Sequence, residues 1–265
     1  MTRAPLVRPT DAPPTAHEPG SVEAIERIDG PTVDEALASD LPRHVAIIMD
    51  GNRRWARARG LPELEGHPAG VEAIRGILRH ARRRGLRVLT LYAFSRENWA
   101  RSDDEVVGLF GLLEAAIRSE TDELRAQGVR VRMIGRTDEL PPETRASIED
   151  ALDATAGGGE MLLNIAFNYA GRTEIVDAVR RIVASGIGPD DVDEATIAAA
   201  LYTAGTPDPD LVIRTGGEQR LSNFLIWQTA YAELVTTETL WPDFGPEALD
   251  AALHEFASRQ RRFGR

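Results

Sequence analysis

Short, nearly continuous apolar runs alternate along the chain with longer segments in which apolar positions recur every three or four residues. Six runs rich in Val, Ile, Leu and aromatic residues, at 44–49, 88–94, 129–134, 161–168, 211–214 and 234–237, read as β-strands. Several lack polar alternation, as strands covered on both faces do. Between them the helical period predicts helices over 69–84, 103–127, 142–155, 173–184, 194–201 and 246–262. Asp103, Asp104 and Glu105 open the second of these and Gly128 closes it, as the helix dipole and a left-handed cap favour. Strand–helix alternation with right-handed crossovers predicts an α/β fold, a parallel sheet flanked by helices. Ligands of such sheets bind beyond the carboxyl ends of the strands. In this chain the polar clusters follow the strands directly.

Residues 1–40 break the pattern. Pro5, Pro9, Pro13, Pro14, Pro19 and Pro31 interrupt them, and acids outnumber arginines. Such a segment cannot bury enough apolar surface to offset its ordering entropy. A disordered, Pro-rich acidic tail is therefore expected over 1–40, with a short amphipathic turn within 22–37, and one folded domain over 41–265. Hydrophobic residues make up 42% of the whole chain, too many for global disorder. The net charge of −11, with Arg as the only basic side chain besides His, speaks against a nucleic-acid partner held by a basic face. With no cysteine, disulfides, thiolate zinc sites and a Cys nucleophile are excluded. No run approaches the roughly 20 apolar residues that span a bilayer, and the N-terminus has no secretory h-region. A cytoplasmic protein is expected.

Three clusters carry candidate chemistry. The first is Met49-Asp50-Gly51-Asn52-Arg53-Arg54-Trp55, after the first strand. Gly51 lets the backbone turn and approach a ligand, and Arg54 can pair with phosphate oxygens. A helix starting near Asn52 would aim free N–H groups at the same place. Asp50 suits Mg²⁺, which takes carboxylate and phosphate oxygen together. The same spacing fits an ordinary βα turn with a capping Asp, and it is not a Walker loop. The second cluster, Ser95-Arg96-Glu97-Asn98-Trp99-Ala100-Arg101, reads as a polar cleft wall or as cap residues before the acidic helix start. In the third, Arg214, Arg220, Leu221 and Ser222 surround Gly216-Gly217, a combination suited to an anion with several oxygens. Glu233, just before the last strand, is a candidate second carboxylate for the metal or a solvated helix end. His67, in Glu65-Gly66-His67-Pro68, is a phosphate donor or a capping His. The terminal Arg261-Arg262-Phe263-Gly264-Arg265 reads as a basic helix end.

Together the motifs resemble the cis-prenyltransferases, the undecaprenyl diphosphate synthase or isoprenyl transferase family. HVAIIMDGNRRWA, GHPAG, LTLYAFSRENW, LNIAFNYAGR, DLVIRTGGEQRLSNFLIWQTAYAEL, LWPDF and RRFG come in family order and spacing over 41–265. The resemblance implies a homodimer whose six-stranded, largely parallel sheet is flanked by helices around an apolar tunnel. It implies Mg²⁺-dependent condensation of isopentenyl diphosphate onto an allylic diphosphate, usually farnesyl diphosphate, with new cis double bonds. By position, Asp50 is the essential acid and metal ligand, completed by Glu233. Gly51, Asn52, Arg53, Arg54 and His67 line the allylic diphosphate site with Trp55 beside it. Ser95, Arg96, Glu97, Asn98, Trp99 and Arg101 border the reacting ends, with Asn98 at the proton-acceptor position. Arg214, Arg220, Leu221 and Ser222 form the isopentenyl diphosphate site, and Arg262-Phe263-Gly264 looks like a tail reaching across the dimer.

The chain departs from the family pattern in Arg53 for a frequent Gly, Glu63 for Arg, and Ala170 for Gly; Glu63 removes an expected diphosphate contact. The small Ala93 resembles the tunnel position of long-chain enzymes, and Met161 a position near the tunnel's closed end. The resemblance thus implies a long-chain product, the precursor of a glycosyl carrier lipid, made at a peripheral membrane position and handed to the membrane. A short-chain synthase and a non-catalytic partner subunit of the same fold are the alternatives. A phosphatase would lack its nucleophile, and a trans-prenyltransferase its DDxxD pair.

Overall fold

The computed structural model describes Arg8 and residues 41–259. The expected tail, the turn within 22–37 and the terminal Arg262-Phe263-Gly264 lie outside the described residues, Arg8 apart.

Six strands form one sheet: β1 (His44–Ile48), β2 (Val88–Ser95), β3 (Val129–Ile134), β4 (Met161–Tyr169), β5 (Leu211–Arg214) and β6 (Glu233–Thr236). Their order is β3-β4-β2-β1-β5-β6, and every neighbouring pair is parallel. The helices are α1 (Asn52–Ala58), α2 (Gly66–Arg83), α3 (Asp103–Ala126), α4 (Pro142–Thr155), α5 (Gly171–Ser185), α6 (Glu194–Ala200) and α7 (Pro246–Ser258). The last stops at Ser258, short of the expected 262. Among the described residues no helix is long and apolar enough to cross a membrane.

Strand periodicity distributes the core. Val45 and Ile47 of β1, with Leu211 and Ile213 of β5, join a cluster that includes Ile77 of α2 and Leu253 of α7. The alternate residues Ala46, Ile48 and Val212 turn to the opposite face, against Tyr169, Phe224 and Leu225. A third cluster places Phe94, Trp99, Phe110 and Phe167 against Ile148 of α4. Met161, expected near a tunnel end, is buried in the first cluster.

A polar chain crosses this apolar sheet. Asn164 donates to the Thr90 hydroxyl (3.0 Å), which lies 2.7 Å from His44 Nε2, while His44 Nδ1 lies 2.7 Å from the Pro207 carbonyl. A carbonyl can only accept, so Nδ1 carries the proton and Nε2 accepts from Thr90. Burial pushes the imidazole down to about 4. Between that value and the ordinary one near 6.5 the unfolded chain binds a proton that the folded chain refuses. Stability should therefore fall by about 3 kcal/mol as pH drops from about 6.5 to 4. Urea melts across that range should show the slope in the wild type, reduced in His44→Gln, which keeps a donor and an acceptor but does not titrate.

Candidate functional site

The register Ile48↔Arg214 levels the carboxyl ends of β1 and β5, β2 runs three residues past the Ile48↔Tyr92 pair to Ser95, and a polar cavity opens there. Asp50 follows β1. Its backbone is clamped by Thr215, whose hydroxyl accepts from Asp50 N (2.9 Å) and donates to Asp50 O (2.7 Å). Its carboxylate lies between two guanidiniums. Arg214 donates to Oδ2 at 2.8 Å and Arg54 to Oδ1 at 3.1 Å. The Arg214 side chain is only 4% exposed, whereas that of Asp50 is 31% exposed. Arg214 also donates to Ser222 Oγ (2.7 Å), and Arg54 to the Gly216 carbonyl (2.7 Å).

Glycines make this approach available. Gly51 holds φ +115, and a Cβ there would meet Leu240 Cδ2 at 2.8 Å; at Gly216 a Cβ would lie 2.3 Å from the Arg54 guanidinium. Ser222 and Asn223 also hold positive φ, at 49° and 63°. Such strain on residues other than glycine gathers at ligand sites. Asn52 Oδ1 and Arg214 Nε are buried without a protein partner, and both residues line the cavity. Buried unpaired polar atoms are costly unless a ligand or water completes them.

The opposite wall is organised by Glu105 in the first turn of α3. This buried carboxylate lies 3.3 Å from His67 Nε2, accepts from Arg101 at 2.8 Å, and is 4.0 Å from Arg53. Burial is the largest influence on His67 and lowers its pKa, while Glu105 acts in the opposite direction. Between the walls, Asn98 Oδ1 accepts from Ser95 N at 3.0 Å, closing the turn after β2.

An apolar cavity continues from the polar one, sharing Met49, Asn52, His67, Ala93 and Leu109 with it. It runs beside α2 as far as Leu78 and beside α3 from Leu109 to Leu124, floored by Leu163, Ile165 and Phe167 of β4. At about 1.5 Å per helical residue, the α3 stretch alone is about 22 Å long. The space free of atoms is about 1140 Å³, part of it open to solvent. Met161 does not line it.

The structure brings Asp50, Gly51, Asn52, Arg53, Arg54, His67, Ser95, Asn98, Arg101, Arg214 and Ser222 to the polar cavity. Others point elsewhere. In the tight turn after β2 (Arg96–Ala100), Ser95 and Asn98 are three apart and share a side, so the residues between them face away. Arg96 pairs with Glu139, Glu97 accepts from Asn223, and Trp99 is buried donating to Asn168 Oδ1. Trp55 donates to Asp243 and lies under Arg59. The Arg220 side chain is exposed and pairs with Glu218, although its carbonyl accepts from Arg214. Leu221 packs against the cluster around Tyr169 and Phe224. Glu233 begins β6 in register with Leu211, three residues before Arg214, about 10 Å back along the sheet from the cavity end. It pairs there with Arg259 (2.8 Å), so within one chain it does not join Asp50.

Among the described residues no three His, Asp or Glu side chains gather to hold a metal. Asp50 alone still fits Mg²⁺, which keeps waters and commonly takes one carboxylate together with substrate phosphate oxygens. Sequence reasoning missed Glu105, Arg57, Tyr92 and Thr215. Glu105 stands in a run of three acids that reads as a helix start, and nothing in that run marks the one that is buried.

A family model described as "Putative undecaprenyl diphosphate synthase" matches residues 48–264. An isoprenyl transferase of Heliobacterium mobile is 50% identical over 228 residues, covering 84% of this chain and 88% of that protein. One from Brucella suis is 54% identical over 227 residues, covering 84% and 89%. Among solved structures, lavandulyl diphosphate synthase of Lavandula x intermedia, in complex with dimethylallyl diphosphate, superposes with a TM-score of 0.83 at 40% identity, covering 85% of this chain and 99% of that one. A probable undecaprenyl diphosphate synthase of Campylobacter jejuni gives 0.73 at 30% identity, covering 84% and 99%.

The Glu105 arrangement has a measurable consequence. In Glu105→Gln the carboxylate that raises the His67 pKa is gone while burial remains, so His67 should titrate lower still. Imidazole proton shifts followed by NMR across pH 4–8 in both proteins check this.

Proposed function

The chain belongs to the undecaprenyl diphosphate synthase, or isoprenyl transferase, family of prenyl-transferring enzymes, and on that premise we propose that it condenses isopentenyl diphosphate onto farnesyl diphosphate to build a long polyprenyl diphosphate with cis double bonds. The observation that carries this reading is the junction of the two cavities. A cationic chamber suited to diphosphates opens, through Met49, Asn52, His67, Ala93 and Leu109, into an apolar chamber suited to a growing hydrocarbon. A non-catalytic partner subunit has no need of Asp50, Asn98 and Arg214 converging on such a junction.

The chemistry follows from charge. Ionisation breaks the bond between the allylic C1 and its diphosphate oxygen, and negative charge grows on the departing group. Arg54 and the helix N-terminus behind Gly51 sit where they stabilise it. Arg214 and Ser222 hold the second diphosphate, so that the isopentenyl double bond meets the allylic carbon; positioning of this kind replaces an entropic cost. A new C–C bond forms from isopentenyl C4 to allylic C1, and a proton leaves isopentenyl C2. The Asn98 oxygen is engaged by Ser95 N, which leaves its NH₂ group to donate and orient. Asp50 already accepts from two guanidiniums. We therefore assign the proton to an oxygen of the departing diphosphate. Asp50, phosphate oxygens and water would hold Mg²⁺, which supplies neutralising charge when bound.

Homodimerisation belongs to the same reading. Val176, Val179 and Val183 form an exposed apolar stripe along α5, continued by Ile187, at a spacing that suits packing against a second copy. A polyprenyl product would pass to a membrane, which fits a peripheral cytoplasmic position.

Two outcomes test the proposal. Purified protein given farnesyl diphosphate, labelled isopentenyl diphosphate and Mg²⁺ should extend the primer, and Asp50→Asn, which keeps an oxygen to accept from Arg214, should lower kcat by about 100-fold or more per folded molecule, with Asp50→Ala adding a loss of melting temperature as the buried guanidinium loses its partner. Absence of extension from any allylic primer would favour the partner-subunit alternative. Ala93→Leu should shorten the products, separated by reversed-phase chromatography, while sparing the first condensation. Unchanged products with a stability loss of about 1–3 kcal/mol would mean that Ala93 is only a packing residue.

A further inference from the structure

The polar cavity collects five arginines in a chain that is acidic overall: Arg53, Arg54, Arg57, Arg101 and Arg214. Three carboxylates compensate them. Asp50 serves Arg54 and Arg214, and the buried Glu105 serves Arg101 and approaches Arg53. The third is Glu63, which begins the short turn Glu63–Glu65 between α1 and α2. Arg53 and Arg57 stand four residues apart on one face of α1, and both grip Glu63. Arg53 donates to Oε2 and Arg57 to Oε1.

The three carboxylates are not equivalent. Asp50 is fixed through its backbone by Thr215, and Glu105 is buried and committed to His67 and Arg101. Glu63 is partly exposed and, among the described residues, is joined to the site through these two guanidiniums. Two arginines that each give an N–H to a different oxygen of one anion present the geometry that also receives a phosphate group, and a phosphate brings more negative charge than a carboxylate. The hold on Glu63 is strong enough to keep its carboxyl below the usual range, with Arg57 the larger influence. In water-exposed surroundings such pairs nevertheless contribute little and can be exchanged.

We propose that Arg53 and Arg57 form an outer anion subsite at the cavity mouth and that Glu63 is its resident counter-anion, displaced when the allylic diphosphate binds. Arg57 is then a diphosphate-binding residue, and Glu63 is a positioning residue that presets both guanidiniums while weakening affinity by competing for them. The inference rests on the reading of the cavity as a diphosphate site.

Calorimetric titration of the full chain with inorganic diphosphate, at low salt, tests it. Glu63→Gln should bind about two- to fivefold more tightly than the wild type, and Arg57→Gln more weakly by a similar factor. In the double variant the gain from Glu63→Gln should shrink, because one of the two freed guanidiniums is missing. In steady-state assays Glu63→Gln should lower KM for farnesyl diphosphate and leave KM for isopentenyl diphosphate in place. Diphosphate binding that is equal or weaker in Glu63→Gln, with melting temperature maintained, would overturn the displacement while leaving the diphosphate reading intact. Absence of binding in the wild type would overturn that reading, and this inference with it. If Glu63→Gln lowers the melting temperature, Glu63→Ser provides the same comparison without an amide competing for the arginines.

Discussion

The ion pair between Arg214 and Asp50 ties the sheet to the site. Arg214 ends β5 and is almost wholly buried; Asp50 lies two residues beyond the end of β1, the strand beside it. A buried guanidinium without a carboxylate is strongly destabilising, so the parallel pairing of β1 with β5 and the position of Asp50 are mutually dependent. The Thr215 clamp on the Asp50 backbone and the close approach of Arg54 to Gly216 follow from the same juxtaposition. The arrangement leaves the carboxylate facing open space while its guanidinium partner stays inside, so charge is presented to a ligand from a rigid support.

The second wall obeys a related constraint. Glu105 is buried and would carry uncompensated charge were it not for Arg101 and, at 4.0 Å, Arg53, while the neighbouring His67 offers a hydrogen-bond partner. It opens α3 behind the cap Ser102, where the helix dipole also favours a carboxylate. One side chain therefore starts a helix, holds two cavity residues, and sits where the polar chamber gives way to the apolar one. That chamber runs beside the same helix, so α3 couples the headgroup end of the site to its hydrocarbon end.

The architecture was largely legible in the sequence. Strands buried on both faces leave continuous apolar runs, and the six runs match the six strands to within a residue or two. The positions of Asp50, Arg54, Asn98, Arg214 and Ser222 at one cavity followed from motifs at the carboxyl ends of those strands, and that of His67, at the start of α2, from the family resemblance. Motif membership did not, however, determine direction. Arg96, Glu97 and Trp99 share a heptapeptide with Ser95 and Asn98, yet the tight turn sends them to Glu139, Asn223 and Asn168. Met161, which the resemblance put near the tunnel's closed end, is buried in the core two residues from the cavity-lining Leu163.

Local pattern alone determined the α/β class, the order of elements, the polar ends of the strands and the absence of thiol chemistry, because each depends on residues a few positions apart. Only the tertiary structure decided which charges meet. Glu63 engages Arg53 and Arg57, Glu105 engages His67 across 38 positions, and Asp50 engages Arg214 across 164. Glu233, just before a strand in the sequence, stands at the far end of the sheet from Asp50 because strand register, not proximity to a motif, sets its height. Coulombic and hydrogen-bonding partners act over a few ångströms of space, and in a parallel sheet with long crossovers neighbours in space are distant in sequence.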